Sequence, residues 1–130
     1  MPLENEAMAY DQFIADRVKN VLTQMKVPFY EKKMFGGLCI MVDDKMCCGV
    51  MYHKKKETDL LMARIGEEAS TESMQREGCH PMDFTGRPMK GYVFVTPDGF
   101  DSEADLEYWV QLCIDFNPLA IASKKRKTRN

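Results

Sequence analysis

The segment that most constrains this chain is "MFGGLCIMVDDKMCCGVMY", residues 34–52, which is extended in character and apolar almost throughout. The pair Asp43-Asp44 stands where a two-residue hairpin loop would lie. Because side chains alternate across a strand, this loop predicts which residues share a face. One face then carries Cys39, Met41, Met46, Cys48 and Val50, and the other carries Leu38, Ile40, Val42, Cys47 and Gly49. Both faces are apolar, so both must be covered.

A two-layer domain covers only one face of its sheet with helices. We therefore expect a homodimer that buries the second face, for which adaptable methionine side chains are suited. The alternative is one helix layer on each side of the sheet.

The same loop predicts that Cys39 lies directly opposite Cys48. Opposed residues have Cβ atoms about 4.5–5.5 Å apart, which exceeds the roughly 3.8 Å typical of a disulfide. The two thiols are expected to be adjacent but reduced.

Helical periodicity predicts an amphipathic helix over about residues 10–26, with Asp11 as its N-cap, and a last helix capped by Asp101 or Ser102. Between them, "DLLMARI" reads as a strand, residues 67–77 read as a short surface helix, and "PMDF" and "MKGYVFV" read as a hairpin around "TGRP". The order is α-β(3)-α-β(2)-α, which favours a two-layer α+β domain with an antiparallel five-stranded sheet.

Charge is distributed unevenly along the 130 residues. The net charge is −2, and the body without the C-terminal cations sums to −7, a poor match for a phosphate backbone. We expect one domain over residues 8–123 and a disordered, solvated tail over 124–130. Weak nonspecific binding of nucleic acid by the tail is the alternative. The cations of the tail are Lys124, Lys125, Arg126, Lys127 and Arg129.

Five cysteines, an odd number, do not resemble a disulfide framework. The start of the chain lacks the features of a signal peptide. No apolar run approaches the roughly 18 residues of a membrane helix. We expect a cytoplasmic protein that does not contact a membrane.

Three ordered motifs, "KKMFGGLCIMVDDKMCCGV", "LLMARIG" and "HPMDFTGRPMKGYVFV", resemble the TfoX N-terminal domain family (TfoX/Sxy) over about residues 8–117. The resemblance implies an α-β(3)-α-β(2)-α two-layer fold. Named members of that family regulate natural competence and join this module to a C-terminal helical domain. The resemblance thus implies a transcription-regulating module, here a stand-alone short member with the basic tail in place of the second domain.

The turn "MDFTGRPMK" contains four polar residues that could bind an anion or a partner: Asp83, Thr85, Arg87 and Lys90. General acid–base work by His80 and Asp83 is a further alternative, although no nucleophile arrangement such as G-x-S-x-G accompanies them. Asp and Thr commonly cap turns with their own side chains, so we interpret the segment as a structural turn.

The thiols are the second candidate. A metal site from Cys39, Cys48, Cys79 and His80 would need the fold to bring them together, because the chain has no C-x-x-C pair. Cys47 and Cys48 cannot both serve one site without a β-bulge. Buried structural cysteine is the simpler interpretation. The basic loop "HKKKE", residues 53–57, could contact phosphate, but a solvated hairpin loop is the ordinary reading.

Two functions remain open. The first is a non-catalytic regulatory or interaction module without a cofactor, acting through a protein partner. The second is a small thiol- or metal-dependent protein that uses Cys39, Cys48 and Cys79 with His80.

Overall fold

A computed structural model describes residues 10–34, 36–83 and 89–120. The helices are α1 (Gln12–Gln24), α2 (Glu67–Ser73), α3 (Pro97–Phe100) and α4 (Glu103–Phe116), followed by a 3-10 turn (Asn117–Leu119). The strands are β1 (Tyr30–Met34), β2 (Gly37–Val42), β3 (Lys45–His53), β4 (Thr58–Arg64), β5 (Cys79–Pro81) and β6 (Tyr92–Val95).

The strands form one antiparallel sheet in the order β1-β2-β3-β4-β6-β5, which confirms the predicted α+β class. The sheet has six strands, not five, and the order is α-β(4)-α-β(2) followed by α3 and α4. The reason is the Gly36-Gly37 pair. Gly36 has φ +72°, which glycine adopts without strain, and the chain reverses there so that Tyr30 pairs with Met41. The predicted order had only one strand before the loop at Asp43-Asp44.

The two-residue loop at Asp43-Asp44 is confirmed. Both residues have positive φ, 57° and 62°, as a type I′ hairpin turn requires, and Val42 pairs with Lys45. The register then shifts between Met41, which pairs with Met46, and Ile40, which pairs with Cys48. Cys47 is the extra residue of a β-bulge.

This bulge makes the predicted Cys39–Cys48 pairing wrong. Cys39 lies opposite Gly49, because one unpaired residue in β3 displaces every later pair by one position. It also moves Cys48 and Val50 to the face where Cys47 lies, so the predicted composition of the two faces is wrong beyond the bulge.

The first face packs against the helices and forms what we call the helix-side cluster. Helices α1, α3 and α4 contribute buried members, and α2 packs against the cluster through Ala69. Its largest members include Val18, Leu22, Ile40, Leu61, Val93, Phe100, Leu106 and Trp109.

Capping residues start the two long helices at this face. The Asp11 side chain accepts from the Phe13 N–H at 2.8 Å, and the Ser102 hydroxyl accepts from the Asp105 N–H at 3.0 Å, as N-caps do. Trp109 is fully buried, and its indole N–H donates to the Gly99 carbonyl at 2.9 Å. Phe13 is an apolar residue of α1 that does not join this core, since it is 70% exposed.

The second face forms the methionine cluster, which contains no residue of a described helix. Its buried members are Cys39, Met41, Met46, Met51, Leu60, Met62, Met82 and Phe94. Met82 and Met89, from the segment between β5 and β6, pack on this face, and the Met89 N–H donates to the Met82 carbonyl at 2.8 Å. The face that motivated the homodimer is therefore buried within one chain, with members at most 7% exposed. The homodimer stays a prediction.

Candidate interaction surfaces

The predicted turn lies between β5 and β6, which pair as expected, with Cys79 opposite Val95. Asp83 and Lys90 are exposed beside the Met82–Met89 hydrogen bond that closes this segment. Thr85 and Arg87, the other two residues of the proposed anion-binding loop, lie outside the described residues. Anion binding by this loop stays a prediction.

His80 lies instead on the wall of a cavity of about 510 Å³ beside the methionine cluster. The cavity is lined by Lys56, Thr58, Leu60, His80, Phe94, Thr96, Pro97 and Asp98. Its two hydroxyls both donate to main-chain carbonyls, Thr58 to Asp59 at 3.1 Å and Thr96 to Gly78 at 3.5 Å. An apolar floor with one cation and one carboxylate on the rim can hold a small ligand, but it does not present an activated nucleophile.

The basic loop between β3 and β4 closes on itself. The Lys56 N–H donates to the His53 Nδ1 at 3.2 Å, and the lysines of the loop are exposed. His53 stacks edge-on against Phe94 with 6.2 Å between ring centroids. This is the geometry of the solvated hairpin loop that the sequence indicated.

The candidate metal ligands are divided between the two faces. Cys39 belongs to the methionine cluster, whereas Cys48 and Cys79 belong to the helix-side cluster. His80 is exposed and lines the cavity described above. Within the described parts of the chain, no three His, Cys, Asp or Glu side chains are grouped so that they could hold a metal ion.

The bulge brings together a different set of thiols. Cys47 and Cys48 both point to the helix side, where they meet Cys113 of α4. Hydrogen bonds from Cys113 and Cys48 lower the pKa of Cys47, while hydrogen bonding to Cys113 raises the pKa of Cys48 and burial raises that of Cys113. All three side chains are at most 1% exposed, which fits buried structural cysteine. Sequence reasoning missed Cys113, since only the fold places α4 over the bulge.

A second concavity, which we call the acidic groove, lies between α2 and α4 and has a volume of about 480 Å³. Its floor and walls are apolar, and four carboxylates stand on its rim. The lining residues are Ile65, Gly66, Glu67, Glu68, Ala69, Glu72, Leu112, Asp115, Phe116 and Leu119.

Backbone geometry at Gly66 shapes the groove. Gly66 has φ +91°, and a Cβ at this position would lie 2.7 Å from the Phe116 ring. Only glycine therefore allows α2 to begin so close to the end of α4. The Ile65 and Gly66 N–H groups both donate to the Gly91 carbonyl, at 2.9 and 3.0 Å, which ties the start of α2 to the sheet.

The outer lip of the groove is Leu119, whose side chain is 72% exposed. Pro118 cannot continue α4, and the chain forms a 3-10 turn there. The turn is anchored to the β2–β3 hairpin, because the Asn117 side-chain amide donates to the Val42 carbonyl at 3.1 Å and the Lys45 ammonium donates to the Asn117 carbonyl at 2.9 Å. Leu119 is thus held outward by a fixed turn.

The rim of the groove is negative and largely unpaired. Glu67, Glu68 and Glu72 are exposed, and their side chains form no hydrogen bond or ion pair with any described residue. Asp115 accepts from the Gln111 side-chain amide at 2.8 Å. Acids in the first turn of a helix are stabilised by its dipole, so Glu67 and Glu68 also help α2 to form.

The sequence had indicated this region only as a short surface helix over residues 67–77, longer than the observed α2. Its local signals were the glycine before two glutamates and a leucine just after Pro118. Neither signal reveals that α2 and the end of α4 are neighbours, since that contact depends on the whole sheet between them.

The five cations of the tail lie outside the described residues. None of the helices in the described part of the chain is both long and apolar enough to span a bilayer.

Comparison with known proteins gives one family. The TfoX N-terminal domain model matches residues 22–117, nearly three quarters of the chain, and includes all six strands. No curated protein matches the sequence. A match over this share of the chain, on a fold of the expected class, means that the protein belongs to the TfoX N-terminal domain family.

Proposed function

We propose that this chain is a non-catalytic regulatory module that acts by binding a partner protein. The observation that supports the proposal is the acidic groove, where apolar side chains reach solvent beneath unpaired carboxylates. A contiguous apolar patch with a polar rim is typical of a protein interaction site, whereas single exposed apolar residues are common and need no explanation. The regulatory part rests on the resemblance to competence regulators of the TfoX type.

The chemistry of the described cavities also supports an interaction role. The hydroxyls of Thr58 and Thr96 donate to main-chain carbonyls, and no general base among the described residues is bonded to either. A nucleophile needs a base within hydrogen-bond reach to be activated. The thiols at the bulge are buried, so a substrate in solution would not reach them.

Two further predictions concern assembly and nucleic acid. For the homodimer, sedimentation equilibrium should give about twice the 15.0 kDa mass of the chain. For the tail, deleting residues 124–130 should abolish any weak binding of nucleic acid, and that binding should fall steeply with salt because each phosphate contact releases a counterion. A monomer at all concentrations, or nucleic-acid binding that survives the deletion, would contradict these two predictions.

The proposed function is tested by capture from a native extract with the full chain immobilised. Leu119→Ser removes an apolar side chain of the groove, and Phe13→Ser is the matched control on α1, since the two side chains are 72% and 70% exposed. We expect the wild type and Phe13→Ser to retain the same proteins after nuclease treatment, and Leu119→Ser to lose them. Capture of nucleic acid alone, or equal capture by all three chains, would contradict the proposal.

A further inference from the structure

We propose that the acidic groove binds a basic amphipathic helix of a partner protein, with the apolar stripe of that helix on the groove floor and its cations on the rim. This inference rests on the proposed function and names the partner that the groove fits. Its support is the position of charge and apolar surface around the groove.

The shape of the groove favours a helix as the occupant. Its walls are α2 and α4, so it presents no free strand edge to which an extended peptide could add main-chain hydrogen bonds. A helix satisfies its own backbone groups and needs only a side-chain surface. Residues at i, i+4 and i+7 of such a helix would meet Leu112 and Phe116 in the groove and Leu119 at its lip.

The charge of the groove favours a basic occupant. Carboxylates stand on both walls, Glu67, Glu68 and Glu72 on α2 and Asp115 on α4. A helix with cations on both flanks of its apolar stripe would face a carboxylate on each side. An acidic helix would meet like charge along the whole rim and would be rejected.

The chain itself offers a poorer occupant. Its C-terminal segment "IASKKRKTRN", residues 121–130, has one large apolar residue, Ile121, whereas the groove presents three apolar side chains, Leu112, Phe116 and Leu119. A second copy of the body carries the same excess negative charge, since residues 1–123 sum to −7. Neither has both of the features that the groove requires, so the occupant is assigned to a different protein.

The test uses the full chain and a synthetic helix of about 14 residues, four turns. The probe has leucine at i, i+4 and i+7 and lysine on both flanks. One control peptide has glutamate in place of lysine, and another has the same composition with the leucines dispersed around the helix. Titration calorimetry should show binding of the lysine peptide alone, and that binding should weaken as ionic strength rises from about 0.05 to about 0.5 M.

Variants locate the binding. Leu119→Ser should weaken binding of the lysine peptide by about tenfold or more, whereas Phe13→Ser should leave it unchanged. Glu68→Gln with Glu72→Gln should weaken it by about two- to tenfold, because each exposed ion pair contributes a factor of about 1.5 to 3. The charge-matched control is Glu57→Gln with Glu107→Gln, two exposed glutamates outside the groove. All these sites are on the surface, so unchanged thermal unfolding should accompany each variant.

Three outcomes would overturn the inference. The glutamate peptide or the dispersed peptide could bind as well as the lysine peptide, or Leu119→Ser could bind like Phe13→Ser. Chemical-shift changes around Leu112 and Glu68 on deletion of residues 121–130, without any peptide, would assign the groove to the chain's own tail. If these tests fail while Leu119→Ser still loses the captured proteins, the interaction module stands and only the basic helix is wrong.

Discussion

The two faces of the sheet are both buried, yet they are built from different side chains. The helix-side cluster is formed mainly by aliphatic and aromatic residues, among them the fully buried Trp109, which is held by a hydrogen bond to Gly99. The methionine cluster has five methionines among its eight buried members and no side-chain hydrogen bond of this kind in the described residues.

The difference teaches how one sheet can have a firmly specified side and an adaptable side. Branched and aromatic side chains have few rotamers and pack in one arrangement, whereas methionine fills irregular gaps with three rotatable bonds. We expect substitutions on the helix side to cost more stability than equivalent ones on the methionine side.

The largest effect should come from the centre of the helix side. Trp109→Ala should lower the free energy of unfolding by about 3–5 kcal/mol, because it removes a fully buried indole and leaves a large cavity. Urea unfolding followed by circular dichroism measures this. Trp109→Phe is the control, and it should cost less because a ring remains. If Trp109→Ala lowered the free energy of unfolding by less than a methionine-to-alanine change on the other face, the expected difference between the two faces would be wrong.

The next largest effect should come from Gly49→Ala. This substitution tests whether the methionine side can accommodate an added methyl group. A Cβ there would lie 2.8 Å from the Met62 Cε, which can move, but also 2.6 Å from the Leu38 carbonyl oxygen, which cannot. We expect a loss of about 2–3 kcal/mol from overpacking against backbone.

Gly36→Ala is the control for this glycine. Its Cβ would meet nothing within 4 Å, so only the positive φ contributes, at about 1 kcal/mol. Equal losses at the two glycines in urea titrations would show that the methionine side absorbs the added methyl group.

Alkaline pH should lower the stability of both faces, because burial raises the pKa of Cys39 on the methionine side and of Cys79 and Cys113 on the helix side. Burial raises the pKa of Cys39 and of Cys79 from 9.0 to about 11. A thiol that ionises less readily when folded stabilises the fold fully below pH 9, and this stability is lost as pH rises from 9 to about 11. For Cys39 the loss should be up to about 2 kcal/mol.

Unfolding free energies measured across that pH window in the wild type and Cys39→Ala check this expectation. The variant should start less stable but lose less stability with rising pH. Parallel curves for the two proteins would show that Cys39 does not contribute to the pH dependence.

The smallest effect sharpens the comparison most directly. Leu61 and Met62 are neighbours on β4, are at most 1% exposed, and point to opposite faces. Met62→Leu should cost about 0.5 kcal/mol, and Leu61→Met about 1 kcal/mol, because the helix side is less able to repack around a changed shape. Paired chemical unfolding curves measure the difference, and the reverse order would contradict it.

Local patterns predicted the parts of the fold that depend on local chemistry. The cap at Asp11, the alternative cap at Ser102 and the loop at Asp43-Asp44 all follow from neighbouring residues and were confirmed. The predicted number of strands was wrong at Gly36-Gly37. A glycine pair fits a bend as well as a chain reversal, and only the pairing of β1 with β2 distinguishes the two.

The candidate sites were harder to predict because each depends on residues distant in the chain. The thiol contact joins the β3 bulge to α4, and the acidic groove joins α2 to Leu119. The hydrophobic periodicity of one segment does not show which distant segment packs against it. The bulge itself has no sequence signature here, since Met46, Cys47 and Cys48 are all apolar and no polar residue marks the change of face.

The bulge at Cys47 also gives β3 a spare residue. Met46 lies on the methionine side and Cys48 on the helix side, so removing Cys47 would join them with ordinary strand alternation. The pairs Met41–Met46 and Ile40–Cys48 would then follow one another in an unbroken ladder, and every other side chain of the strand would keep its face. Deleting Cys47 should therefore preserve the pairing register of the sheet and the face of every remaining side chain. Few deletions within a central strand would do so.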